Sequence, residues 1–268
     1  MKLRLALLAL LAALPARADD PSPGDLPPVC PDRPGKNTSP CVTDAGHWQL
    51  EATGLDETLQ RRDGVTTDLL MGVAPTLKYG LTSTLELEAT FTPLQDLRVH
   101  GPASDITTGG HGDTYLRAKW MFAGDGGTGF TAIAEPYAKL ATATRGLGNG
   151  ALEEGFMLPF GYDWGNGWQL QTTPEVDVLL DSSGHGRHAA LVDALELNWQ
   201  QPKSPWIWGL EFWTSQNFDP LGTVRQYSAD ADIAYLTDND TQLDAGFNFG
   251  LNRATPDAEF YFGISRRF

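Results

Sequence analysis

The sequence predicts an all-β protein, a transmembrane antiparallel up-and-down β-barrel of about twelve strands. Three observations carry that expectation. Short segments of alternating apolar and polar residues recur from Gly46 onward, and one parity of nearly every segment is almost free of charge. Trp and Tyr gather toward the ends of the apolar faces (Trp48, Tyr79, Trp120, Tyr162, Trp168, Trp199, Trp206, Tyr227, Tyr235), as in the aromatic girdles of a barrel in lipid. The stretch Ala258 to Phe268 sets Phe260, Phe262, Ile264 and Phe268 against Glu259, Tyr261, Ser265 and Arg267. It finishes on an aromatic, as suits a closing strand that pairs with the first and leaves no edge. A soluble sandwich or lipocalin-like barrel also alternates, but it places Lys and Glu on its outer face.

The chain opens MKLRLALLALLAALPARA, with Lys2 and Arg4, an apolar run from Leu5 to Leu14, and Ala16-Arg17-Ala18. That order describes a signal peptide over residues 1–18, removed after Ala18. The run is too short to span a bilayer, and no later segment has the apolar length of an inner-membrane helix. The formal charge of −15 becomes −18 once the three cations Lys2, Arg4 and Arg17 are gone. So acidic a chain excludes nucleic acid as a partner.

Residues 19–45 read as a Pro-rich periplasmic leader. Its CPDRPGKNTSPC stretch holds Cys30 and Cys41, the only two cysteines. In an exported chain this pair is expected to form a disulfide. A tetrahedral metal site would need further Cys or His, and His47 reads as a polar residue at a strand start.

Residues 46–268 read as the barrel. Trp48, Leu50 and Ala52 alternate with Gln49, Glu51 and Thr53, and Asp63-Gly64 then turns the chain. The second segment sets Leu69, Met71, Val73, Leu77 and Tyr79 against Asp68, Thr76 and Lys78. The third sets Leu85, Leu87, Ala89 and Phe91 against Glu86, Glu88 and Thr90. After a polar stretch, 98–111, read as a long external linker, Leu116, Ala118, Trp120 and Phe122 oppose Arg117 and Lys119. The fifth segment opposes Phe130, Ala132 and Ala138 to Glu135, Tyr137 and Lys139. The sixth aligns Phe156, Leu158, Phe160 and Tyr162, and the seventh opposes Trp168, Leu170, Val176 and Val178 to Glu175 and Asp177. Leu191, Leu195, Leu197 and Trp199 follow, with Asp193 out of place on their side. Trp206, Trp208, Leu210 and Phe212 then face away from Glu211 and Trp213, Tyr227, Ala229, Ala231, Ile233 and Tyr235 from Asp230 and Asp232, and Leu243, Phe247 and Phe249 from Asp244.

With the closing strand the segments number about twelve, and an even number puts both barrel ends on the periplasmic side. The connections assigned to that side (80–83, 123–128, 163–167, 202–204, 238–240) are all short, as such barrels require.

If the apolar parity meets lipid, the other lines the interior. The lumen-lining candidates are Glu86, Glu88, Arg117, Lys119, Glu135, Lys139, Glu175, Asp177, Glu211, Asp230, Asp232 and Asp244, with Lys78 and Glu196 beside them. Their acidic excess selects for cations or neutral solutes if the lumen is open. Alternatively they pair with one another and fill it, since twelve strands fall between filled and open barrels.

The densest group of histidines is SGHGRH, residues 183–188, in an external loop with Ser182 before it. A nucleophile needs its base held by a third group, and a Gly-rich loop is a poor frame for that. No Gly-x-Ser-x-Gly or His-Glu-x-x-His occurs. No catalytic residue, metal or cofactor is expected.

The wording CPDRP and SPC (30–41), GHWQLE (46–51), APTLKYGLTSTLELE (74–88), GDTYLRAKW (112–120), LGNG (147–150), PEVDVL (174–179), SGHGRH (183–188), QNFDP (216–220), LDAGFNFGLNRATPD (243–257) and YFGISRRF (261–268) resembles the outer-membrane family labelled "MetA-pathway of phenol degradation". Arg266 departs from it, standing where similar proteins often carry Tyr. The resemblance implies a barrel of the bacterial outer membrane with a role in the passage of small compounds, aromatic ones among the candidates. The partners then expected are outer-membrane lipid, the barrel assembly machinery acting on the C-terminal strand, and a small-molecule solute. The alternative is a closed structural or binding barrel acting through external loops 98–111 and 182–188.

Overall fold

The computed structural model describes residues 26–268; the segment read as a signal peptide and residues 19–25 of the leader lie outside them. The strands are β1 (Trp48–Arg62), β2 (Val65–Thr82), β3 (Leu85–Phe91), β4 (Leu94–Gly101), β5 (Ser104–Gly110), β6 (Thr114–Ala123), β7 (Gly129–Leu140) and β8 (Glu153–Met157). They continue as β9 (Phe160–Asp163), β10 (Trp168–Thr172), β11 (Glu175–Leu180), β12 (Arg187–Gln200), β13 (Trp206–Asn217), β14 (Val224–Leu236), β15 (Thr241–Gly250) and β16 (Ala258–Arg267). All 16 belong to one antiparallel sheet that closes where β1 pairs with β16. Four staves of the wall are built from two strands each, β3 with β4, β5 with β6, β8 with β9 and β10 with β11, so the barrel has twelve.

Pro93, Pro159 and Pro174 fall in three of the breaks within staves. A residue without an N–H cannot donate to a ladder. Neighbouring backbone bonds keep the wall closed there: Gly112 N–H to Thr92 O (2.8 Å), Ile133 to Pro159 (2.8 Å) and Leu158 to Pro174 (2.9 Å).

The barrel is apolar outside and polar inside. Leu210 is 66% exposed, Trp120 56% and Phe249 55%, while Lys78, Glu86 and Lys119 are 0% exposed. Lipid demands this inversion, and closure leaves no backbone group unpaired in it. The girdle residues meet across strands, with ring centroids 4.6 Å apart for both Trp48–Tyr79 and Trp206–Tyr235. Asp193 is tolerated on the outer face because it accepts a hydrogen bond from Thr172 Oγ1 at 2.7 Å. Arg266 points its guanidinium over the ring of Phe268, 5.5 Å from the centroid.

The wall departs from the expected pattern at two places. Stretch 98–111 is not a long linker: β4 and β5 pair from Gln95↔Gly110 to Gly101↔Ser104, and β4 runs along β2, so a hairpin carries staves three and four onward. The alternation across Val65–Tyr79 also does not hold through β2. The register slips at Gly54 between β1 and β16, and Val73 takes a positive φ of 50°. A side chain at Gly54 would meet the Phe262 ring at 2.5 Å, so the bulge needs glycine there. Beyond the bulge Met71 sits opposite Asp56, which sits opposite the inward Tyr261, and Leu69 lies two residues further along that face. Leu69 and Met71 therefore face inward, away from the side of Leu77 and Tyr79.

The seam ends in a reciprocal pair, Phe268 N–H to Trp48 O at 2.7 Å and Trp48 N–H to Phe268 O at 3.3 Å. Deleting Phe268 is expected to open this end of the seam and lower the yield of folded barrel. Heat-modifiable migration of the outer-membrane fraction checks it, and wild-type levels of folded protein would count against the role given to the residue.

Candidate functional site

The reading of the leader as a periplasmic segment meets a different arrangement in the structure. Residues 30–43 are folded into the lumen from the end that carries the short turns. Both feet of this insertion stand at that end. Val29 N–H bonds Asn239 O at 2.6 Å, and Gly46 N–H bonds Gly80 O at 2.7 Å. A side chain at Gly80 would strike Thr43 O and Asp44 O at 2.3 and 2.2 Å, so the leader passes close over this glycine. Cys30 and Cys41 form the expected disulfide, with Cα atoms 6.3 Å apart, and close the inserted loop. Ser39 Oγ donates to Pro31 O at 2.6 Å across it.

On one side the leader delivers an acid to a cluster of lysines. Lys78 Nζ stands 2.7 Å from Asp32, 2.9 Å from Glu51, 3.3 Å from Glu86 and 3.8 Å from Glu88. Lys119 also pairs with Asp32 and lies 3.6 Å from Glu88. Both lysines are fully buried, a costly state that only several carboxylates can compensate. Carboxylate oxygens of Asp32, Glu86 and Glu88 come within 4.8 Å of one another, a set able to hold a metal. The two ammonium groups already supply the positive charge there.

On the other side the leader delivers cations and backbone N–H groups to an acidic arc. Arg33 pairs with Asp244 at 2.8 Å and donates to Thr53 Oγ1 at 2.7 Å. Lys36 lies 3.1 Å from Asp230 and 3.5 Å from Glu259. The N–H groups of Lys36 and Asn37 donate to Glu211 at 3.1 and 2.7 Å, and Asn37 Nδ2 donates to Glu196 at 3.2 Å. Tyr261 OH accepts from Gly35 N–H at 2.9 Å, and Thr173 Oγ1 from Thr38 N–H at 3.1 Å. The loop is thus charge-matched to its socket, acid to base on one side and base to acid on the other.

The lumen-lining candidates stand on inward parities, and ten of them fall in three groups. Glu86, Glu88 and Lys119 form the lysine cluster with Lys78. Glu211, Asp230, Asp232 and Asp244 lie around the tip of the leader, with Asp232 buried opposite Gly209. Arg117, Glu135 and Glu175 line a cavity of about 410 Å3 beside the leader, together with Tyr115, Tyr137 and Met157. Asp177 accepts from Tyr137 OH, and Lys139 bridges Asp113 (3.2 Å) and Glu153 (2.9 Å). The residues missed from sequence are those of the leader, Asp32, Arg33, Lys36 and Asn37. The available signal was their order of charges, acid then bases, opposite in sign to the wall residues each meets.

The histidine loop is held by its own contacts. His188 Nδ1 lies 2.9 Å from Asp181 and 3.7 Å from Asp219, and Ser183 Oγ donates to the His185 carbonyl at 2.9 Å rather than to a ring. Asp219 accepts from the Ser182 and Leu221 N–H groups, each at 2.7 Å, and contacts with Ser182 hold its carboxyl below the usual range.

The disulfide ties both feet of the inserted loop together, so its loss should loosen the leader. Closing a loop of this size is worth about 3 kcal/mol by chain entropy. Cys30→Ser with Cys41→Ser is expected to leave the barrel folded and make the leader susceptible to protease added from the periplasmic side. Equal protection of the two forms would show that the wall contacts suffice.

No curated protein matches the sequence significantly. Among solved structures, the COG4313 outer membrane channel from Pseudomonas putida F1 superposes with a TM-score of 0.66 at 14% identity, covering 88% of this chain and 99% of that one. The translocator domain of the autotransporter NalP from Neisseria meningitidis gives 0.53 at 14% identity, covering 84% and 90%. The NanC porin gives 0.52 at 7% identity, covering 82% and 98%. At these identities the likeness is one of fold, that of outer-membrane barrels. The sequence itself matches the family described as "MetA-pathway of phenol degradation" over residues 31–268. That span takes in the inserted leader as well as the whole wall, and the chain belongs to this family.

Proposed function

We propose that the barrel is a conduit for small solutes across the outer membrane, with the leader as its internal plug. The observation that carries this reading is a charged, polar lumen closed by a segment that is not part of the wall. Among the described residues the plug is held by contacts with wall side chains and by its two feet, so it can shift without breaking the ladder. Inward rings, Tyr115, Tyr137, Trp213 and Tyr261, give the path faces against which a flat solute can slide. One similar structure is an outer membrane channel, in keeping with a conduit, and the family description names phenol degradation, which makes aromatic solutes the first class to test.

Swelling of liposomes containing the purified protein, with phenolic, aliphatic and sugar solutes compared, tests the proposal. Swelling that depends on solute size and chemistry supports it. If neither swelling nor conductance appears, even with the plug removed, the barrel is a closed binding or structural element acting through its external loops.

A further inference from the structure

We infer that the cavity beside the plug is a binding site for a small zwitterion, a solute carrying an ammonium and a carboxylate a few ångströms apart. The inference rests on the reading of the barrel as a conduit and names the solute class that this point of the path selects.

Neighbouring groups of opposite charge in the cavity wall are incompletely paired. Arg117 donates one hydrogen bond, to Thr90 Oγ1 at 2.8 Å, and among the described residues its remaining N–H groups have no hydrogen-bond partner. Its Nε stands 3.8 Å from Glu135 Oε1, beyond hydrogen-bond reach. Glu135 Oε2 has no partner, although the side chain is only 1% exposed. Glu88 Oε1 also lacks a hydrogen bond at 2% side-chain exposure, but it lies 3.6 Å from the Lys119 ammonium and 3.8 Å from that of Lys78, which balance its charge. A buried carboxylate oxygen left without a donor is costly. Both acids line the cavity, so a solute placed there can supply the missing donors.

These groups ask for two things at once. Glu135 needs an N–H donor with positive charge, and the Arg117 guanidinium needs an acceptor, best a carboxylate that can take two of its N–H groups. An anion alone would meet the two carboxylates, and a cation alone would meet the guanidinium. A zwitterion satisfies both and changes the net charge of the site by nothing. The volume of about 410 Å3 lies in the range of small-molecule sites, roughly 300–1,000 Å3. Rings line one side, with Tyr115 and Tyr137 centroids 6.3 Å apart and Arg117 lying 5.2 Å from the Tyr115 centroid. They suit a solute with a flat or apolar remainder.

The test is calorimetric titration of the purified full barrel in detergent with three probes of similar shape: L-phenylalanine, phenylacetate and phenethylamine. Phenylalanine is expected to bind at least roughly tenfold more tightly than either half-molecule, the scale of one charged hydrogen bond. Glu135→Gln should remove its advantage over phenylacetate, and Arg117→Met its advantage over phenethylamine. Heat-modifiable migration verifies folding of each variant, and Arg117→Lys, which keeps the charge and loses the fork, replaces any variant that fails. Equal affinities for the three probes, no binding of any, or an unchanged ranking in the folded variants would overturn the assignment. Arabinose swelling on the same preparations separates the two levels. Swelling without phenylalanine binding leaves the conduit and removes the site, whereas binding by the full barrel with no swelling even from a barrel lacking the leader supports the site and removes the conduit.

Discussion

A barrel lacking residues 26–45 is expected to conduct several times more current than the full protein and to be strongly cation-selective. Both effects have the same origin. The leader occupies the middle of the lumen, and it is also the source of Arg33 and Lys36, which meet the acidic arc. Without it, the interior keeps Glu51, Glu86, Glu88, Glu135, Glu196, Glu211, Asp230, Asp232 and Asp244 against Lys78, Arg117 and Lys119. A pore lined in that proportion favours cations, since charged rings select by sign. The asymmetry should weaken at high salt, where screening shortens the reach of each charge to a few ångströms. Single-channel recording in planar bilayers gives the conductance, and the reversal potential under a KCl gradient gives the selectivity. If the truncated barrel folds but matches the full protein in both, the leader is not what closes the path.

Most of the wall was legible in the sequence because lipid imposes a simple rule on it. Every second residue must be apolar across the bilayer, and the eye finds that rule in Phe260, Phe262 and Ile264 as readily as in Leu85, Leu87 and Ala89. It failed where the backbone departs from strict alternation. The bulge at Gly54 and the positive φ of Val73 displace one residue, and Leu69 and Met71 change face with no mark in their own side chains. It failed again at 98–111, where strands that carry the hairpin onward are released from the alternation and read as a linker. The inward residues were expected as the polar complement of the lipid face. Their partners were not, since Asp32 lies 46 residues from Lys78, Arg33 lies 211 from Asp244, and nothing local links them. The leader's composition, rich in Pro and closed by two cysteines, describes an ordered loop in an oxidising compartment but not where that loop sits.

The second large effect is expected at the lysine cluster, where two substitutions separate the plug from the wall. Asp32→Asn removes the one carboxylate that the leader contributes to this cluster. Glu51, Glu86 and Glu88 remain to balance Lys78 and Lys119, so the barrel should fold as before while the leader loses its hold on that side. Frequent brief openings in single-channel traces are the expected signature, together with faster proteolysis of the leader. Lys78→Met acts on the wall itself. It strips the ammonium from among four carboxylates, all but Asp32 nearly fully buried. Breaking a buried pair by removing one partner costs about 3–5 kcal/mol, and here the group removed serves four. The Lys78→Met barrel should therefore lose its heat-modifiable migration at a clearly lower temperature, whereas Asp32→Asn should not. The double variant should unfold less readily than Lys78→Met alone, because one of the stranded carboxylates is then neutral. If Lys78→Met leaves thermal stability unchanged, or the double variant is the less stable of the two, the lysine is not what holds these carboxylates together.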